Sequence, residues 1–160
     1  MPRKYPFYPA WNGNKASPVL EQFVKNMRAR HKFTNLGIYA NRTMRGSENL
    51  SVHATGWACD IGYTDRKQAV IVWDWLIANT EQLRIAEIHD YAYKDPKQTK
   101  AWGRGYRCSR GAGVKGIKIF TATDNAGTPG TASKWLHVEI ENTWKNAAEF
   151  QAMWASIPKP

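Results

Sequence analysis

Apolar positions along the chain recur at helical spacing in three stretches and alternate with polar ones in several shorter stretches between them. The first helical stretch opens at Ser17, an N-cap side chain, with Pro18 at the first helical position. Val19, Leu20, Phe23, Val24 and Met27 then form one stripe that runs to about Arg30. A second helix starts from Asp65 as cap and carries Ala69, Val72, Trp73, Leu76 and Ile77 on one side, ending near Asn79. A third begins at Asn146, where Asn-Ala-Ala-Glu has the form of a capping box, and continues through Phe150, Met153 and Trp154. Strands are predicted at "LGIYA" (36–40), "ACDIGY" (58–63), "LRIAEIHDY" (83–91), "KGIKIF" (115–120) and "KWLHVEIE" (134–141). Residues 94–114 and 121–133, rich in Gly, Lys, Arg and Thr, are expected to be long loops. Residues 1–16, rich in Pro, Asn and aromatics, predict an irregular arm lying across the core. The pattern predicts an α+β fold, a small and mostly antiparallel sheet with helices packed against it.

Composition narrows this picture. A chain of 160 residues with 42% apolar residues and eight tryptophans suits one globular domain over 1–160. No run of about 18 apolar residues is present to span a membrane. Met1-Pro2-Arg3-Lys4-Tyr5 has charge but no apolar stretch behind it, so no signal peptide is expected. Such a chain would be made in the cytoplasm and would act outside it only after release or carriage by something else. The net charge of +10, from 23 basic and 13 acidic residues, favours anionic partners: nucleic acid, acidic lipid or a bacterial wall. A basic surface with no dedicated partner accounts for the same number. Cys59 and Cys108 allow at most one disulfide and exclude a disulfide scaffold. Cys59 is read as a buried thiol facing away from Asp60, and Cys108 as a free or packing thiol.

The alternation in "KWLHVEIE" puts Leu136, Val138 and Ile140 on one face and Trp135, His137, Glu139 and Glu141 on the other. The first face belongs to the core. The second joins an imidazole to carboxylates, which ordinary core packing does not accommodate. A second polar group occurs in "SVHATGWACD", 51–60. Fully extended, the seven residues from His53 to Asp60 would span about 23 Å. Two ligands of one zinc must instead place donor atoms about 2.0–2.2 Å from a common ion. The chain must therefore reverse, and Thr55-Gly56 offers a residue that tolerates the angles. Small Ala54 and Ala58 leave room for a close approach. Two imidazoles and one carboxylate leave a fourth position open, the arrangement of a catalytic zinc.

Ser51 through Asp60 fits an SxHxxGxAxD signature and resembles the D-alanyl-D-alanine carboxypeptidase and L-alanyl-D-glutamate endopeptidase group of zinc peptidases. That group shares the hedgehog/DD-peptidase fold and includes many phage endolysins. Trp135-Leu136-His137-Val138-Glu139 is similar to its late histidine-bearing strand, and the resemblance spans roughly 36–141. It implies zinc as cofactor, with His53, Asp60 and His137 as ligands. It implies Arg42, in Gly37-Ile38-Tyr39-Ala40-Asn41-Arg42, as a residue that steadies substrate or developing charge. Ser51 would bind substrate, although a turn-stabilising hydroxyl is an equal reading. The activity implied is hydrolysis of an amide bond in peptidoglycan peptides, by a lysin released at lysis or carried with other virion proteins.

The chain departs from the group at the usual general base, three residues before the last histidine, which here is Lys134. A lysine does not accept the proton of an activated water unless strongly desolvated. Glu139 and Asp90 are the replacement candidates, with Asp124 behind them. Each also has a structural reading: Glu139 as partner of a ligand imidazole, Asp90 as partner of an Arg or Lys, Asp124 as a turn cap. Without any base, the chain would be a catalytically inactive, zinc-binding relative serving as a structural or wall-binding virion protein. Finally, "AWGRGYRCSRGAG" (101–113) interleaves Arg104, Arg107 and Arg110 with Trp102 and Tyr106, a mixture suited to nucleic acid. It contains no nucleic-acid-binding motif, and the same loop would equally rim a cleft for anionic peptidoglycan.

Overall fold

A computed structural model describes residues 1–9, 15–31, 34–37, 51–124, 130 and 133–158, with 34–37 described in their backbone only. Helices α1 (Pro18–Arg30), α2 (Arg66–Ala78) and α3 (Ala147–Ser156) begin at the expected caps. The Ser17, Asp65 and Asn146 side chains accept from the amides of Leu20, Gln68 and Glu149, each satisfying a donor that has no partner within its helix. Six strands, β1 (Thr34–Gly37), β2 (Ala58–Gly62), β3 (Ile85–Asp90), β4 (Arg104–Arg107), β5 (Ile117–Ile119) and β6 (Trp135–Ile140), form one sheet in the order β1-β2-β6-β3-β4-β5. Every pairing is antiparallel. The fold is α+β, as the pattern predicts.

One face of the sheet carries Cys59, Ile61, Ile88, Tyr106, Leu136 and Val138, all at most 1% exposed, and the helices cover it. The apolar stripes of α1 and α2 are the expected ones. Phe150 of α3 packs edge-on against Phe23 of α1 and against Trp144, with ring centroids 6.3 and 5.2 Å apart. Both thiols are free and buried within this core.

Strand β4 corrects the expectation of a continuous loop over 94–114. Its arginines look solvent-seeking in sequence, yet each is answered by an acid on β3. Arg104 lies directly across from Asp90 and Arg107 across from Glu87, so opposite charges lock the pairing. Arg104 is further sandwiched between the Trp73 and Tyr93 rings, 4.2 and 4.1 Å away, and Arg110 donates to the carbonyls of Gly105 and Gly116. The arginines that suggested phosphate contacts thus have partners within the chain, although Arg110 is exposed and the Arg107 side chain is 42% exposed. The remainder of the 36–40 segment lies outside the described residues.

Candidate metal centre

The other face of the sheet is polar, and the register arranges it in rows. Asp60, His137, His89 and Gly105 are successive cross-strand partners on β2, β6, β3 and β4. One step along, Ala58, Glu139, Glu87 and Arg107 form the next row. Paired residues of an antiparallel ladder share a face, so these side chains meet.

His53 enters from a single 3-10 turn, Val52–Thr55, ahead of β2. The Ser51 hydroxyl accepts from the His53 amide at 3.3 Å, and Thr55 Oγ1 donates to the Val52 carbonyl at 2.6 Å. Gly56 closes the turn in the left-handed region, φ 80°, which a side chain would disfavour. The reversal demanded by the spacing is therefore real, and Ser51 stabilises it.

His53 Nε2 lies 3.4 Å from Asp60 Oδ2, and His137 Nδ1 lies 3.2 Å from Asp60 Oδ1. One ligand atom from each of the three residues falls within 4.8 Å of the others. The two histidine–aspartate separations are close to the roughly 3.3–3.6 Å between ligands held about 2.0–2.2 Å from a tetrahedral zinc, so the group could hold a metal ion. His53 and His137 are nearly buried, while the Asp60 side chain is 23% exposed and marks the accessible side.

Protonation follows from the same contacts. Burial alone would raise Asp60, but hydrogen bonds from His137 and His53 hold its carboxyl well below the usual range. Burial alone would lower His137, but the Asp60 and Glu139 carboxylates outweigh it and push the imidazole up to about 10. Glu139 Oε1 lies 2.9 Å from His137 Nε2 and holds the proton on that nitrogen. Nδ1, on the opposite side of the ring, shares its own proton with Asp60 and is the nitrogen a metal would take by displacing that proton. The other Glu139 oxygen accepts from the Tyr5 hydroxyl, so both are occupied.

The remaining expected residues fall elsewhere. Asp90 is fully buried on the helix-covered face, across from Leu136, where it takes Arg66 through both oxygens (2.7 and 2.9 Å) and Arg104 at 3.0 Å. Alternation along β3 turns it away from the imidazoles, which removes it as a proton carrier there. Asp124 caps a turn through the Thr121 amide at 2.9 Å and pairs with Lys118. Lys134 is exposed. Arg42 lies outside the described residues.

Four further participants were not expected at this site: Tyr5, Glu87, His89 and Arg107, the last read instead as a candidate nucleic-acid contact. His89 Nε2 lies 2.9 Å from Glu87 Oε1, and Arg107 grips both Glu87 oxygens at 2.9 and 3.1 Å. His89 Nδ1 lies 3.2 Å from the Tyr91 hydroxyl. The signal was present in "EIH", a reversed copy of "HVE" in a neighbouring strand. No protein-family model, no curated protein and no solved structure matches this chain. Among the described residues, no helix is long and apolar enough to cross a membrane.

Proposed function

We propose that the protein is a zinc-dependent peptidase hydrolysing an amide bond in bacterial peptidoglycan peptides, a phage lysin of the D-alanyl-D-alanine carboxypeptidase and L-alanyl-D-glutamate endopeptidase group. The observation that carries this reading is the convergence of His53, Asp60 and His137 donor atoms from a turn and two adjacent strands. Three protein ligands of this kind leave a position for water or substrate. His53, Asp60 and His137 would hold the zinc, which would supply Lewis acidity toward a carbonyl and toward a water that loses a proton near neutral pH. The chain's own residues prepare the site. Ser51 fixes the turn that presents His53, Glu139 selects the His137 nitrogen that faces Asp60, and Arg42 is assigned to the substrate's charge. The +10 charge supports retention on an anionic wall.

One observation favours a second reading, a zinc-binding virion module without catalysis: Glu139, Asp90 and Asp124 are each held by protein partners. Metal analysis and turbidity loss of outer-membrane-permeabilised cells, compared with His53→Ala and Asp60→Ala, separate the two. Zinc and lysis lost together identify the peptidase; zinc without lysis in the parent identifies the module. A parent that binds no zinc ends both. Mass spectrometry of the digested wall then names the bond.

A further inference from the structure

The N-terminal arm is bolted to the sheet on both sides of Tyr5. Before it, Arg3 donates to the carbonyls of Thr80 (3.1 Å) and Ile85 (2.8 Å) and pairs with Glu81 and Glu141. After it, the Tyr8 hydroxyl donates to the Ile140 carbonyl at 2.9 Å and Asn142 donates to the Phe7 carbonyl at 2.9 Å. Between these anchors the Tyr5 ring lies under the Arg107 guanidinium, 4.7 Å from its carbon, and meets the Tyr8 ring edge-on. Its hydroxyl reaches Glu139, a residue 134 positions away.

We infer that Tyr5 is a positioning residue of the metal centre, acting on His137 through Glu139, so that docking of the arm and binding of a divalent cation are energetically linked. The inference rests on the metal-centre reading above. A carboxylate held at one oxygen only can swing about its own bond and carry the imidazole with it. Glu139 is held at both, by His137 Nε2 on one oxygen and by the phenol on the other. The imidazole therefore keeps Nδ1 aimed at Asp60, 3.2 Å away. Removing the partner that orients a ligand histidine typically costs about 10- to 100-fold in metal affinity. Linkage makes the effect reciprocal: a cation that needs His137 so oriented also holds the arm down.

The test is zinc affinity, measured by competition with a chromogenic chelator, for the parent, Tyr5→Phe and Tyr8→Phe. Tyr5→Phe keeps the ring and removes only the hydroxyl on Glu139. Tyr8→Phe removes an arm hydrogen bond that does not touch the centre. Weakening of about three-fold or more in Tyr5→Phe, and beyond that of Tyr8→Phe, supports the inference, since Tyr5 acts one contact further out than the partner whose loss costs about 10-fold. Equal affinities in all three overturn it while the metal centre stands. A parent that does not bind zinc overturns the metal-centre reading itself. Hydrogen exchange needs no substitution: zinc should slow exchange at residues 3–8 more than in α3, and equal slowing in both counts against the link.

Discussion

His137 and His89 are cross-strand partners with ring centroids 5.8 Å apart, and each is held by a carboxylate two residues away on its own strand. The antiparallel register of "EIH" against "HVE" creates this doubling, because it aligns Glu87 with Glu139 as well as the imidazoles. What separates the two halves is the next strand out. His137 has Asp60 beside it and His53 edge-on at 5.0 Å, a ligand set. His89 has Gly105 beside it and is walled by Tyr91 and Phe120, with centroids 5.4 and 5.6 Å away. One imidazole belongs to a group that could hold a cation, while its neighbour, with a side chain 20% exposed, sits among aromatic rings.

Glu139→Gln distinguishes an orienting carboxylate from a proton acceptor. The amide oxygen still accepts from His137 Nε2, but the charge that strengthens this contact is gone. Zinc affinity should fall about 10-fold, and, if the chain is the proposed peptidase, its wall-lysing activity should return at saturating zinc. Activity that stays absent with zinc fully bound would instead make Glu139 the acceptor.

Asp90→Asn probes the opposite face. It leaves Arg66 and Arg104 without a buried counter-charge, and breaking such a pair costs about 3 kcal/mol. Urea denaturation should show that loss, and zinc affinity should be unchanged because Asp90 points away from the imidazoles. A variant of full stability that bound no zinc would contradict the placement.

The Glu87 cluster should make stability depend on acid. Burial alone would raise this carboxyl, but His89 and Arg107 outweigh it and hold it below its ordinary 4.5. A carboxyl lowered on folding stabilises the protein above 4.5, and that stabilisation disappears as pH falls through the folded value. Glu87→Gln should therefore be less stable than the parent by about 2 kcal/mol at neutral pH, with the gap closing in acid. Thermal unfolding across the pH range measures it, and a gap that persists in acid would exclude the charge as its source.

Gly105→Ala tests how closely β4 is packed beneath the imidazole row. A Cβ there would lie 2.5 Å from Phe120 Cζ, 3.1 Å from the Ile88 carbonyl oxygen and 3.2 Å from His89 Cδ2. The Phe120 ring and His89 must shift, at a cost of about 1–3 kcal/mol. A lowered melting temperature together with a displaced His89 imidazole resonance is the expected result.

The caps and stripes made all three helices legible, since these signals lie within a few residues of each other. The face of β6 was legible for the same reason: alternation alone separates Leu136 and Val138 from His137 and Glu139. It also separates Glu87 and His89 from Asp90, a carboxylate with the chemistry of a proton carrier but on the face opposite the imidazoles. Strand β4 was hidden because Arg104 and Arg107 resemble a solvated loop until their partners on β3 are known. Tyr5 was beyond any local reading. Nothing near it in the chain announces a contact with a residue on the far side of the sequence.

The sheet order has a consequence for how the molecule comes into being. β6, near the end of the chain, lies between β2 and β3 and supplies the rung that unites them. Until it is synthesised, β2 and β3 have no common neighbour, Asp60 lacks His137, and the strand edges that β6 joins stay unpaired. Assembly is therefore late and dominated by sequence-distant pairing, which slows folding and lengthens exposure to aggregation. A nascent chain halted before Trp135 carries His53 and Asp60 yet lacks the third residue of the group that could hold a metal ion.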